Sequence, residues 1–303
     1  MYNGIINIYK EKGFTSHDVV AKMRGILRQK KIGHTGTLDP DATGVLPVCL
    51  GSATKLCDML TDRDKEYEAV MQLGISTDTQ DLSGEVLEEC PVTVTEEEVR
   101  NAILSFIGDY DQIPPMYSAL KVNGKKLYEL ARAGKEVERQ PRAVTIYDIT
   151  ILNMKLPDVT FRVSCSKGTY IRTLCYDIGV KCGCLAAMKS LKRTRAGVFR
   201  EESAITLTEL EKLRDEDKVS EVVVPVDHFF AELTEVHVPE EFLKYIKNGN
   251  SFYPQQIRER MGFGDGEDVR VYDEAGRFYG VYTMKQQEGR FVPKKMFLEN
   301  DLK

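Results

Sequence analysis

Two segments of the chain, residues 144–152 and 159–165, constrain the fold more than any other part of the sequence. Both are rich in β-branched residues, and in both apolar residues alternate with polar ones, as in strands that bury one face. A helix is predicted after them at 170–180, where apolar residues recur at helical spacing. Strands and helices do not alternate regularly, and no G-x-G-x-x-G follows a strand. The sequence therefore predicts an α+β fold with a mixed, largely antiparallel sheet rather than a doubly wound parallel one.

Periodicity and capping signals predict the other elements. Thr15 or Ser16 is expected to cap a helix, while Thr95 and Glu98 form a capping box that opens another, with Gly108 closing it. The remaining segments are predicted to be a strand at 4–9, a loop at 30–44, an apolar stretch at 45–50 followed by a short helix that ends near 60, a strand at 67–73, a loop at 75–84 and a helix at 127–133.

The chain is expected to divide into a large and a small domain. Its 303 residues, 42% of them hydrophobic, can bury one large core and a second small one. An acid-rich stretch at 201–235 is interpreted as a connector. Beyond it, short strands separated by glycine turns predict a small β-rich domain at 236–303 after a main domain at 1–235.

The charged residues are strongly segregated, although the net charge is only -5. Residues 162–200 hold nine Lys or Arg and one acid, whereas 201–243 hold thirteen acids and three bases. Residues 1–56 and 118–147 are also net positive. Each basic segment alone is typical of a solvated surface, but three that converge on one face would indicate a nucleic-acid partner.

Several classes of protein are disfavoured by what the sequence lacks. No run of 18 apolar residues is present, and polar residues interrupt the opening, so we expect neither a membrane span nor a leader, and a cytoplasmic location. The seven cysteines have no C-x-x-C spacing, and we interpret them as reduced, mostly buried thiols. Neither a disulfide framework nor a metal site is predicted.

The segment at 33–44, GHTGTLDPDATG, is the most unusual in the chain. Its glycines, its proline and its small residues favour a tight, exposed turn that presents one carboxylate, Asp39, beside Pro40. Asp39 could instead bond only to its own backbone in an Asx turn. Asp41 is the rival carboxylate, but its position one step past the proline suggests that it helps to close the turn.

Four further side chains are candidates whose roles remain open from residue type alone. His34 could act as a base, a metal ligand or a stacking surface, although the four histidines are dispersed. Arg172 could contact phosphate, or it could pair with a buried Asp39 and keep it ionised against the cost of desolvation. Tyr67 and Tyr170 could be core aromatics or could stack on a base.

The segment at 33–44, with 45–51 and 53–55 after it, resembles the signature loop of the TruB family of pseudouridine synthases. Further segments resemble that family in the same order, and together they span most of residues 4–200: KEY at 65–67, TDT at 77–79 followed by Gly84, PPMYSALK at 114–121, GTYIR at 168–172 and LKRT at 191–194. One position departs from the pattern. Glu11 stands where proline is usual. This difference puts the rigidity of the local turn in question, but it does not affect the expected chemistry.

The resemblance implies that Asp39 is the nucleophilic carboxylate of an isomerase that acts on one flipped-out uridine. The base would be detached, turned and rejoined to the sugar through its C5 atom, without redox equivalents or ATP. No cofactor is therefore expected, in agreement with a sequence that has no P-loop and no Rossmann fingerprint. Whether Asp39 attacks the sugar, attacks the base or abstracts a proton cannot be read from residue types.

Five residues would bind the substrate if the resemblance holds. Tyr67 would lie against the extruded nucleotide, and His34 would fill or brace the space that it leaves. Arg172 would pair with the nucleophile, while Tyr170 and Leu191 would form walls of the uracil pocket.

The partner implied by the resemblance is tRNA, with the T-loop uridine at position 55 as the target and the folded T stem-loop recognised by shape. The segment at 113–142 would be an RNA-contacting insertion, and 236–303 would be a PUA-like domain that grips the acceptor end. A monomer without an obligate protein partner is expected.

Three other functions compete with this one. A guide-dependent archaeal or eukaryotic relative shares the aspartate loop but needs partner subunits, and the eukaryotic forms carry Lys-rich tails that this sequence lacks. A pure RNA-binding or RNA-refolding protein would make Asp39 incidental, and turnover distinguishes the two. A glycoside hydrolase would want a second carboxylate across the scissile bond, and the sequence offers no convincing partner to Asp39.

Overall fold

The structure, a computed structural model, describes residues 1–122 and 124–298. In that part of the chain the strands are β1 (Gly4–Lys10), β2 (Ile32–His34), β3 (Thr43–Leu50), β4 (Lys65–Leu73), β5 (Ile75–Thr77), β6 (Val86–Glu89), β7 (Gly108–Gln112), β8 (Lys121–Val122), β9 (Lys125–Lys126), β10 (Arg142–Lys155), β11 (Asp158–Cys165), β12 (Ala186–Ala196), β13 (Phe199–Arg200), β14 (Thr234–Val238), β15 (Asp268–Asp273), β16 (Phe278–Lys285) and β17 (Arg290–Met296). The α-helices are α1 (Ser16–Leu27), α2 (Cys57–Thr61), α3 (Glu96–Leu104), α4 (Leu127–Arg132), α5 (Ile171–Lys181), α6 (Leu207–Asp215) and α7 (Leu243–Lys247).

A nine-stranded sheet forms the centre of the molecule, with the main order β1-β3-β12-β4-β11-β10-β7. Its neighbours pair antiparallel except at β12 and β3, which run parallel where Lys192 faces Thr43 and Arg193 faces Gly44. The prediction of an α+β fold with a mixed, largely antiparallel sheet is confirmed. The alternating strands predicted at 144–152 and 159–165 are β10 and β11, and they pair with each other.

Strand β12 is the main element of this sheet that sequence reasoning did not predict. It joins the two halves of the sheet, because it pairs with β4 on one side and with β3 on the other. Five of its eleven residues are Lys, Arg or Ser (Lys189, Ser190, Lys192, Arg193 and Arg195), so apolar alternation is weak. The central position of β12 comes from its long pairing with β4 and not from its own pattern.

The predicted helices are largely confirmed, with changes at their ends. Thr15 caps α1 and accepts a bond from Asp18 N, whereas Ser16 begins the helix. The capping box of Thr95 and Glu98 opens α3 as predicted. Gly108 does not close that helix, which ends at Leu104. Gly108 has a φ of +113° and is the first residue of β7.

Three segments expected to lack regular structure contain some. The loop at 30–44 includes β2, which pairs with β3, and the loop at 75–84 begins with β5, which pairs with β6. The acidic stretch at 201–235 is more than a connector, because Leu207 and Leu210 of α6 pack in one buried cluster with α1 and β1. Acidic residues cover only the outer side of this helix. The high acidic content of the stretch therefore obscured the apolar side of the helix in the sequence.

A second sheet lies at the C-terminal end, in the order β14-β15-β16-β17, around a core that includes Val236, Phe252 and Phe291. It begins at Thr234, close to the domain boundary expected at 236. Another buried cluster joins this unit to the large sheet, since it contains Ile5 and Val45 together with Phe297. The two units therefore share part of their core. No helix in the described residues is long and apolar enough to cross a membrane.

Gly44 shows how closely β3 and β12 approach. Its φ is +103°, and a Cβ at this position would lie 2.2 Å from the carbonyl oxygen of Arg193. Real Cβ atoms do not come so near to a backbone oxygen, and L side chains rarely adopt this φ. Only glycine lets the two strands meet directly after the unusual loop.

We predict that Gly44→Ala destabilises the protein by about 3 kcal/mol, because it adds a backbone clash to an unfavourable φ. Chemical denaturation measures the change. Gly13→Ala is the matched control, since Gly13 also has a positive φ, +88°, but a methyl group added there would have no atom within 4 Å. Its cost should be about 1 kcal/mol. Equal losses in the two variants would show that the close approach contributes nothing.

Candidate active site

The turn that carries Asp39 lies between β2 and β3 and is anchored by two apolar neighbours. Leu38 and Ala42 are buried in the same cluster as β4, β11 and α5. Asp39 stands between them with a side chain that is 35% exposed. Burying the residues on either side holds the carboxylate at the surface of the core.

Polar contacts from the start of the chain fix this turn further. The Ser16 hydroxyl accepts a 2.9 Å bond from Leu38 N. The fully buried Lys10 ammonium donates to the carbonyls of Pro40, at 3.0 Å, and Glu11, at 3.1 Å. Burial lowers the pKa of Lys10 to about 8, against the attraction of Asp39 and Asp41. The cation therefore links the opening strand to the aspartate loop.

Glu11, the departure from the family pattern, takes part in this arrangement only through its backbone. Its carbonyl accepts from Lys10, and its side chain is exposed. Proline at the same position would offer the same carbonyl. Gly13 N also donates to the Pro40 carbonyl at 2.9 Å. The turn is thus held from two sides without the usual proline.

Arg172 reaches Asp39 from the first turn of α5. Its Nη2 donates to Asp39 Oδ1 at 3.0 Å, and its Nη1 lies 3.8 Å from Asp81 Oδ2. The arginine side chain is only 8% exposed, and that of Asp81 is 15% exposed. A nearly buried guanidinium therefore lies between two carboxylates. In the described part of the chain, the hydrogen bond to the Asp39 side chain comes from Arg172. In an Asx turn, the donor would instead be a backbone N–H of the loop that carries Asp39.

The electrostatic balance at Asp39 has opposing components. Burial raises the pKa of Asp39, the nearby Arg172 lowers it, and Asp81 raises it again. Lys10 also lowers the pKa, and Asp41 raises it. Without the guanidinium, desolvation would favour the protonated acid, which is a poor nucleophile. The net pKa of Asp39 is raised, and Arg172 is the main group that opposes this rise.

A cavity of about 600 Å³ opens above the pair. It lies within the usual range for small-molecule sites, about 300–1,000 Å³. The residues that line it come from the turn after β1, the aspartate loop, the loop after β5, the segment at 113–142, α5 and β12: Lys12, Asp39, Pro40, Asp41, Ala42, Thr79, Asp81, Leu82, Ser83, Tyr117, Tyr128, Arg132, Arg172, Met188, Lys189, Ser190 and Leu191.

Asp39, Arg172 and Leu191 are the predicted site residues that line this cavity. Tyr67 and Tyr170 lie behind its wall. Tyr67, on β4, is 9% exposed, and burial raises the pKa of its hydroxyl, with Asp39 near enough to add to that rise. Tyr170 is the residue before α5, and burial raises the pKa of its hydroxyl too.

His34 ends β2 and faces the loop rather than the cavity. Its Nδ1 accepts from Gly36 N at 3.3 Å, and its ring meets that of His17 edge to face at 5.9 Å. Burial and the neighbouring His17 lower its pKa, so the ring is neutral at neutral pH. A neutral ring braces the loop without adding charge beside Asp39.

Asp41 lies on the rim, where Lys12 Nζ approaches it at 3.8 Å and both side chains are exposed. It makes no contact with Arg172 within the described residues, so the ion pair distinguishes Asp39 from its rival. No group of three or more His, Cys, Asp or Glu side chains in residues 1–122 and 124–298 is placed to hold a metal ion.

Sequence reasoning missed two residues of this site, Asp81 and Arg193. Asp81 follows the TDT segment, and no signal singled it out. Arg193, within the quoted LKRT segment, is 1% exposed and donates from Nε to the Val45 carbonyl at 2.7 Å. Its charge also opposes the rise in the pKa of the Tyr67 hydroxyl. A charge in a basic stretch is usually on the surface, so only the structure reveals that this one is buried.

Comparisons with known proteins agree with this geometry. Residues 24–171 match the TruB family pseudouridylate synthase N-terminal domain, and 172–231 match the tRNA pseudouridylate synthase B C-terminal domain. A protein named tRNA pseudouridine synthase B from Lachnoclostridium phytofermentans is 52% identical, over 98% of this chain and 100% of its own. Another of that name, from Alkaliphilus oremlandii, is 49% identical over 94% of each chain. This chain belongs to the TruB family.

Two solved structures share this fold over nearly the whole chain. A chain from the crystal structure of a Cbf5-Nop10-Gar1 complex is 30% identical, with a TM-score of 0.70, and covers 98% of this chain and 86% of its own. A chain from an H/ACA RNP bound to a substrate RNA containing 2′-deoxyuridine is 28% identical, with a TM-score of 0.69 over 98% and 86%. TruB membership makes this chain a pseudouridylate synthase, an isomerase.

The two neighbours of Asp39 should move its pKa in opposite directions. We predict that Arg172→Met raises the pKa of Asp39, because it removes the attractive charge, and that Asp81→Asn lowers it, because it removes a repulsive one. The ¹³C carboxyl shift of Asp39, followed against pH, measures both. Asp148→Asn, an exposed change on β10, is the control and should leave the midpoint unchanged. Shifts of the same sign in the two variants would contradict this account.

Proposed function

We propose that this protein is a tRNA pseudouridine synthase that isomerises the T-loop uridine at position 55, with Asp39 as the catalytic residue. The observation that carries the proposal is the 3.0 Å pair of Asp39 and Arg172 at the base of a cavity large enough for a nucleoside. The names of its full-length relatives support the choice of tRNA as substrate. A pair of this kind supplies one ionised carboxylate in a partly dehydrated site.

The reaction requires no external reagent, since its atoms balance within one nucleotide. The bond between uracil N1 and the ribose C1′ breaks, the base rotates, and C5 forms a new bond to C1′. The proton on C5 is then lost, and N1 gains one. Asp39 would supply the carboxylate that begins this sequence, whichever atom it attacks first, and Arg172 would keep it charged.

The uridine must leave its stack to reach this carboxylate, because Asp39 lies inside the cavity. Leu191 would form an apolar wall against the uracil, and Tyr67 and Tyr170 would lie against the base once the cavity adjusts to it. His34, neutral and braced against the loop, would fill or support the space that the base vacates. These four roles rest on family resemblance together with the positions described above.

The cavity mouth has the chemistry of an RNA contact. Lys12, Arg132 and Lys189 line it beside Tyr117 and Tyr128. Lys and Arg at this rim would follow phosphates, and aromatic rings offer stacking for splayed bases. Tyr117, Tyr128 and Arg132 come from the segment at 113–142, which supports its proposed role as an RNA-contacting insertion.

The small C-terminal unit is proposed to be PUA-like and to hold the acceptor end of the tRNA. A second cavity, of about 520 Å³, lies between this unit and the large sheet, with Lys247 and Arg277 among the residues that line it. Phe278 and Tyr279 form part of the same wall. Two cations beside aromatic rings suit the phosphates and bases of a single-stranded end.

The enzyme is proposed to act alone, as a cytoplasmic monomer. Its relatives named tRNA pseudouridine synthase B are 49% and 52% identical, whereas the chain from the Cbf5-Nop10-Gar1 complex is 30% identical, so the stand-alone type is favoured over a guide-dependent one. All seven cysteines are free thiols, as is usual in a reducing compartment.

We predict that the purified protein, without any cofactor, releases tritium from a T stem-loop RNA labelled at uridine C5, and that Asp39→Asn releases none. The amide keeps the shape of the side chain but cannot act as a nucleophile. RNA binding should remain, since the substitution removes a negative charge from a cavity that Lys12, Arg132 and Lys189 also line. Asp41→Asn is the matched control and should retain release. Tight, salt-sensitive binding without release by the parent protein would favour an RNA-binding function instead.

The acceptor-end contact predicts a difference between two RNAs. The double variant Lys247→Ala, Arg277→Ala should bind full-length tRNA more weakly, with its salt slope reduced by about two, because two phosphate contacts are lost. Binding of the isolated T stem-loop should not change. Lys285→Ala with Arg290→Ala removes the same charge from the far end of β16 and β17 and is the control. Equal weakening for both RNAs would place Lys247 and Arg277 elsewhere on the RNA surface.

A further inference from the structure

Gln112, the last residue of β7, has a buried side-chain amide that is hydrogen-bonded to the residue before α5. Its side chain is 1% exposed. Gln112 Oε1 accepts from Tyr170 N at 2.7 Å, and Gln112 Nε2 donates to the Tyr170 carbonyl at 3.0 Å. Tyr170 is the residue directly before α5, and its carbonyl also accepts the helix's own bond from Leu174 N. One side chain therefore fixes both polar backbone groups of the residue from which α5 begins.

A second contact braces the same helix farther along. Gln112 Nε2 also donates to the Tyr110 hydroxyl, which in turn donates to Asp177 Oδ2 at 3.1 Å. Asp177 lies in the middle of α5, and burial raises its pKa. The direction of every hydrogen bond in this chain is set, because the amide nitrogen must face two oxygens and the amide oxygen one N–H. Gln112 has no freedom to flip.

The residue of the site that these bonds affect is Arg172, two residues after Tyr170. Arg172 is in the first turn of α5, so its guanidinium moves with the helix start. That guanidinium meets Asp39 at 3.0 Å and Asp81 at 3.8 Å. A misplacement of about 1 Å at a reacting group can cost a hundredfold in rate. The hydrogen bonds to Tyr170 therefore act two residues before the guanidinium that contacts Asp39.

We propose that Gln112 is a positioning residue for the reaction, acting through Tyr170 and α5 to place Arg172 against Asp39. The proposal rests on the function assigned above to that pair. Packing alone does not account for the amide. An apolar side chain of the same size would fill the space but would leave the partly buried Tyr170 N–H without this partner.

The test uses Gln112→Met, which keeps the volume of the side chain and removes its hydrogen bonds. If Arg172 moves away from Asp39, burial of the carboxylate is less well opposed and its pKa rises. The other charged or titratable groups near Asp39 are unchanged: Lys10, Asp41, Tyr67, Asp81 and Tyr170. The ¹³C carboxyl titration of Asp39 should therefore shift to higher pH, and this readout needs no substrate.

The reaction should report the same change. With enzyme in excess over labelled stem-loop, Gln112→Met should slow a single turnover at least about tenfold at neutral pH, while the Kd for RNA stays within about threefold of the parent value. The deficit should shrink as pH rises, because the carboxylate then forms without help. Gln72→Met, the same substitution at a half-buried position on β4, is the control and should behave as the parent protein does.

Other results would overturn the proposal. An unchanged titration of Asp39 would do so, and so would a slower turnover with an unchanged pH dependence, since general structural damage would explain it. Should Gln112→Met not fold, Tyr110→Phe removes the bonds of the hydroxyl to Asp177 and Gln112 but leaves both bonds from Gln112 to Tyr170, so it should shift the titration in the same direction by less. An inactive parent protein would contradict the proposed function, and the titration would still decide the role of Gln112.

Discussion

The rest of the site depends on one partly buried ion pair between residues 133 positions apart, Asp39 and Arg172. Such a pair is costly, because both ions lose water, and it survives only where the surroundings fix both partners. Here the carboxylate is set by the Ser16 and Lys10 contacts on its loop, and the guanidinium by the start of α5. The large sheet supplies both supports, since β3 follows the loop and β11 leads to the helix. Much of its architecture can be understood as holding two atoms 3.0 Å apart.

The sequence was informative where a segment has an unusual composition or a clear periodicity of its own. The aspartate loop could be found because its glycines and proline are unusual, and β10 and β11 because their apolar residues alternate. The fold class followed from those signals together with family resemblance. Residue chemistry left a pair of Arg172 with Asp39 as one of two alternatives and the resemblance favoured it, because nothing in the spacing of two residues so far apart shows that they meet. The structure then supplied the contact.

What could not be predicted shares a physical cause, which is that tertiary contacts override local character. Strand β12 carries too many charges to resemble a buried strand, yet Arg193 within it is almost fully enclosed. The acidic stretch contains a helix whose apolar side packs on the core. Asp81 and Gln112 are polar residues with no local peculiarity. Each is defined by a partner on another element, at residue 172 or 170, and a single chain read in order cannot reveal such partners.

The apolar cluster that joins the C-terminal unit to the large sheet has a mechanical consequence. Because Ile5 and Val45 share a core with Phe297, the small unit cannot swing freely as it would on a flexible tether. This shared packing keeps the distance from Asp39 to the cavity at the domain junction constant. With the proposed acceptor-end contact at that cavity, this constant distance would favour RNAs whose target uridine and acceptor end lie at a matching separation.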